Sequence, residues 1–97
     1  MPSSDDWQLA GFLERLDAWA EQESADDDLR LVVTAWVVSR YDDPYRGVRR
    51  EAGTDNLWYA VVPDTMHEGR VVVCSYWINE RSRTLVCNGF ASLTLPL

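Results

Sequence analysis

A chain of 97 residues, 46% hydrophobic and 26% charged, suffices for one hydrophobic core and leaves no room for a spare module, so residues 1–97 are read as a single domain that is neither disordered nor membrane-embedded. The formal net charge of −7 is unevenly held: residues 1–28 carry nine acids and only Arg15, whereas the rest carries seven acids and eight arginines. That balance disfavours nonspecific binding to nucleic acid, no apolar run is long enough for a bilayer, and the N-terminus lacks the basic and apolar regions of a secretory leader, so the expected location is cytoplasmic.

Ser3 and Ser4 ahead of Asp5 and Asp6 offer a cap and first-turn carboxylates, and Leu9, Phe12, Leu13, Leu16, Trp19 and Ala20 then recur at helical spacing. The pattern predicts a first helix over residues 5–22. Ser24 with Asp27 suggests a capping box for a second element, residues 29–41. Its apolar stripe is helical, while four valines and a threonine favour a strand; caps and length favour the helix. Asp42-Asp43-Pro44 ends it.

Residues 45–55 are polar and read as a loop or a short edge strand. Period-two alternation then predicts strands over 56–62 and 70–78 and a third beginning at 84–87. Asn88-Gly89 is either a tight turn into a fourth strand, 90–95, which is favoured, or a bulge within one long third strand. A turn at 79–82 pairs Val72 with Gly89, Cys74 with Cys87, Tyr76 with Leu85 and Ile78 with Arg83. The expected class is α+β: two N-terminal helices packed on a three- to four-stranded antiparallel meander, the alternative being one helix followed by a five-stranded sheet.

Arg46, Arg49 and Arg50, flanked by Tyr41, Tyr45 and Trp58, are the one basic-aromatic interleaving, as a phosphate or RNA contact would require. Asp42, Asp43, Glu51 and Asp55 offset them, and nucleic-acid binding is not expected except through them. His67 could act as a base beside carboxylates, or be merely solvated. Cys74 and Cys87 are too few for a disulfide framework and read as buried thiols, or as a pair if their sulfurs meet. No metal or other cofactor is expected. Candidate partner-binding residues are Asp26, Asp27 and Asp28 in the acidic N-terminal part, with Trp58 and Trp77 among five tryptophans. The uncharged tail from Ser92 to Leu97 would leave a sticky edge that homodimerisation would cover.

The order of two helices, a proline-closed turn and a meander, with Tyr-Asp-Asp-Pro-Tyr-Arg-Gly (41–47), Asn-Leu-Trp-Tyr-Ala-Val-Val (56–62) and Arg-Val-Val-Val-Cys-Ser-Tyr-Trp-Ile-Asn-Glu (70–80), resembles the RelE/ParE toxin superfamily over about residues 24–92. The resemblance implies a small α+β toxin wrapped by an antitoxin and acting on ribosome-bound mRNA or on DNA gyrase. It places Arg46, Arg49, Arg50, Arg70 and Tyr76 near the basic and phenolic positions of the ribonuclease branch. This chain departs from that branch after Arg83, where no Arg, Lys, His, Tyr or carboxylate remains. It also shows no evident strand ahead of the first helix.

These observations favour a small non-enzymatic protein-binding domain of a bacterial accessory or regulatory system. The alternatives are an mRNA-cleaving toxin using Arg46, Arg49 and Arg50 with Tyr76 or His67, and an acidic inhibitor or immunity-type protein for a basic partner.

Overall fold

The computed structural model describes residues 7–95, so the expected cap at Ser3 to Asp6 lies outside the described residues. The elements are β1 (Gln8–Ala10), α1 (Phe12–Gln22), α2 (Asp27–Ser39), β2 (Arg49–Arg50), β3 (Leu57–Val61), β4 (Arg70–Asn79) and β5 (Thr84–Thr94). They form one sheet in the order β1-β5-β4-β3-β2, antiparallel throughout except where β1 runs parallel to β5. The class is α+β as expected, two helices on a sheet. The sheet has five strands because β1 and β2 add short edges to the three-stranded meander.

The first helix starts later than its spacing suggests. Gln8–Ala10 is extended and pairs with Thr84 to Val86, and Gly11, at φ 79°, turns the chain into α1. Leu9 does face the core, but as a strand residue opposite Leu85. In α2 the cap is Asp26, whose carboxylate accepts the Leu29 N–H at 2.8 Å. Ser24 instead occupies the left-handed region in the preceding turn, at φ 52°. Residues 29–41 are helical through Ser39: burial of Val33, Trp36 and Val37 outweighs the strand preference of the valines.

Both helices cover one face of the sheet. Phe12, Leu16 and Trp19 from α1 and Val33 and Trp36 from α2 meet Val72, Cys74, Tyr76, Ile78 and Leu85. Each fully buried aliphatic or aromatic side chain there contributes about 1.5–3 kcal/mol.

The β4–β5 hairpin corrects the expected register. Asn79 pairs with Thr84, its side-chain oxygen accepts the Ser82 N–H at 3.2 Å, and Arg83 completes the turn at φ 53°. Tyr76 therefore lies opposite Cys87 and Ile78 opposite Leu85, a slip of two that preserves the faces. Asn88-Gly89 is not a turn. Ser75 pairs with Gly89 and Tyr76 with Cys87, so Asn88 is the extra residue of a bulge, and the long partner β4 keeps β5 continuous. Beyond the bulge Val72 pairs with Ser92 and Cys74 with Phe90, so the two thiols are diagonal rather than opposite; both are free and buried.

Candidate functional site

Strand alternation sends Ala60, Cys74 and Tyr76 toward the helices and Tyr59, Val61, Ser75 and Trp77 to the opposite face, which no helix of the described chain covers. Three rows cross that face. One runs Leu57–Trp77–Val86, another Val61–Val73–Ala91, and between them lies Arg49–Tyr59–Ser75–Gly89. Val61, Trp77, Val86 and Leu93 are 53%, 37%, 41% and 50% exposed. Apart from its middle row, this exposed sheet face is apolar.

The middle row is polar. Arg49 stands beside Tyr59, which stands beside Ser75, and the bulge brings Asn88 close enough to donate its Nδ2 hydrogen to Ser75 Oγ at 2.9 Å. The row offers a guanidinium, a phenol, a hydroxyl and an amide within an apolar frame. Arg49 was legible in the sequence as a candidate. Tyr59, Ser75 and Asn88 were not, because their alignment depends on the corrected register and on the bulge.

The other expected residues are dispersed. Arg50 pairs with Trp58 and so points to the opposite face from Arg49, while Arg46 sits in the preceding loop, 3.8 Å from Asp43. Trp58 is half-buried, packed against the core with Tyr45 edge-on at 5.3 Å, whereas Trp77 is on the open face. Asp26, Asp27 and Asp28 form the cap and first turn of α2. His67 lies in the β3–β4 hairpin, exposed, 3.8 Å from Glu68. It borders a cleft of about 240 Å³ between that hairpin and the start of α2, where Arg70 meets Glu23 at 3.1 Å. Among the described residues no cluster of His, Cys, Asp and Glu is arranged to hold a metal ion.

Tyr76 is fully buried. Its hydroxyl donates to the Pro44 carbonyl and accepts from Arg40 Nη1 at 3.4 Å. Burial raises its pKa, with Arg40 opposing the shift. Arg40 itself, 3% exposed, is held by the Arg46 carbonyl at 2.7 Å and by Ser39 Oγ. A buried arginine satisfied by neutral acceptors gives no sequence signal. Nearby, Tyr45 donates to Glu80 Oε1; desolvation first and that carboxylate second push its pKa up to about 12.

No family model matches the sequence, and no curated protein matches it. The fold, however, is shared with a solved structure: a mutant of the E. coli toxin RelE in the free state superimposes with a TM-score of 0.61 at 9% identity, covering 89% of this chain and 82% of that one. Its two helices on a mixed five-stranded sheet thus give this chain a RelE-like fold.

Proposed function

We propose that this chain is a small protein-binding domain of a bacterial accessory or regulatory system, cytoplasmic, using the helix-free face of a RelE-like sheet to hold its partner. The observation that carries this reading is the composition of that face: Leu57, Val61, Val73, Trp77, Val86 and Leu93 surround a single polar row. Aromatic and aliphatic anchors around a few hydrogen-bonding groups are what a protein interface requires. Co-expression with the product of the neighbouring gene tests it. A stable complex that is lost on Val61→Asp or Trp77→Glu, with circular dichroism unchanged, supports the reading, and a complex indifferent to both substitutions refutes it.

Cleavage of ribosome-bound mRNA is the second reading, favoured by one observation: Arg49 and Tyr59 are cross-strand neighbours on the open face. There Arg49 would stabilise phosphate charge and Tyr59 would exchange a proton. Cutting by the purified protein that disappears in Arg49→Ala would replace the first reading with this one.

A further inference from the structure

β5 has a free edge. β1 pairs only with Thr84 to Val86, Gly11 then turns the chain away, and among the described residues no strand pairs with the outer side of β5 from Cys87 to Thr94. The hydrogen-bond phase identifies which groups point outward. The Leu95 N–H donates to the Gly69 carbonyl at 2.8 Å, continuing the register in which Leu93 faces Val71 and Ala91 faces Val73. On the other side of β4, the Val72 carbonyl accepts from Val62 N–H at 2.8 Å. Odd-numbered residues of this part of β5 therefore bond to β4, and Phe90, Ser92 and Thr94 direct their N–H and C=O groups to the open edge.

Such edges are ordinarily blunted by charge, proline or shortness. This one has none of these: Thr84–Thr94 contains no charged residue and no proline. The only interruption is the Asn88 bulge, which lies at one end of the free stretch.

The helix above the edge fits a second copy. The Asp17–Arg30 ion pair at 3.1 Å fixes the α2 side of α1, and Phe12, Leu16 and Trp19 fix its core side. Helical spacing then turns Arg15, Ala18 and Gln22 to the remaining flank, toward the free edge. Trp19 Nε1 donates to Ser92 Oγ at 3.0 Å, so the C-terminal half of α1 lies over Ser92.

We infer that two copies of this chain join antiparallel through the free edge of β5 about a twofold axis at Ser92, making one continuous sheet with the two α1 helices side by side. Ser92 then pairs with its own copy and Phe90 with Thr94, satisfying the outward backbone groups. No like charges oppose each other in the strands. Above them the small Ala18 lies near the axis, and Arg15 lies opposite the Glu21-Gln22 end of the second helix. The interface is isologous, as a twofold dimer requires. A strand from a different protein would fill the same edge hydrogen bonds but not the α1 complementarity. The inference is independent of what the open face binds.

Sedimentation equilibrium of the purified chain and amide hydrogen exchange test it together. A dimer is expected, with the Phe90, Ser92 and Thr94 amides protected at high protein concentration and at least tenfold faster to exchange on dilution. Thr94→Pro, which removes an outward N–H and leaves the β4 ladder intact, should give a folded monomer. Arg15→Glu should weaken the dimer about tenfold, and adding Gln22→Arg should restore it. A monomeric wild-type chain overturns the inference, as does a dimer whose edge amides exchange freely or one that survives Thr94→Pro unchanged.

Discussion

The Arg40 guanidinium lies over the Trp36 ring, 4.4 Å from its centroid, and donates to the Arg46 carbonyl and the Tyr76 hydroxyl. One helix end, the loop over residues 43–46 and the centre of β4 are thereby tied to a single buried charge. Arg40→Ala would leave the Arg46 carbonyl unpaired and a cavity beside Trp36, and should destabilise the fold by about 3 kcal/mol in urea unfolding. Tyr76→Phe, which orphans the Pro44 carbonyl and takes one weak acceptor from Arg40, should cost about 1–2 kcal/mol.

Tyr45 gives the molecule an alkaline limit. Its pKa rises from the ordinary 10.0 to about 12 on folding, and that of Tyr76 rises as well. A phenol with a raised folded-state pKa contributes its full stabilisation below pH 10 and loses it as pH rises toward 12. Thermal midpoints should begin to fall above pH 9, where the unfolded Cys74 thiol ionises, and fall further between pH 10 and 12, and Tyr45→Phe should lessen the fall in that upper range. An unchanged slope in that variant would show that Tyr45 is not responsible.

Cys74 and Cys87 are neighbouring free thiols inside the core. Burial lifts the Cys74 thiol far above its ordinary range, while Cys87, accepting its hydrogen bond, is lowered. With exposures of 0% and 3%, neither should react in the native state. Alkylation at pH 8 should be on the order of 100-fold slower than in urea, where both react, as mass spectrometry would show.

Gly11→Ala should destabilise the protein by about 1–2 kcal/mol, because φ 79° is unfavourable for any residue with a Cβ. Space is not the cause, since the new methyl group would lie 3.9 Å from Cys87 Cβ, an ordinary contact. Chemical denaturation of the variant measures it.

The parts of this fold written in local pattern were legible in the sequence. The acids before Leu29 cap α2, and alternation from Leu57 and from Arg70 marks β3 and β4. The parts that depend on distant partners were not. Leu9 falls at helical spacing with Phe12 and Leu13, so the three-residue β1 merges into the helix pattern; what separates them is Gly11, an ordinary glycine until its φ is known. Asn88-Gly89 carries a turn signal, and only ten residues of β4 running alongside convert it to a bulge. The candidate site divides in the same way. Arg49 stands out as a charge, whereas Tyr59, Ser75 and Asn88 become its neighbours only through the register.

Because Gln8–Ala10 pairs with Thr84 to Val86, the first strand of the fold is completed by the last. Helices and the β3–β4 hairpin can form as synthesis proceeds, but the first strand has no partner until Thr84 to Val86 have been made. Closure of this sheet therefore waits for the synthesis of β5, the last strand of the fold. Until then Leu9 and the core side of α1 lack the strand against which they pack, and a truncated product ending before Thr84 would have neither β1 docked nor α1 seated.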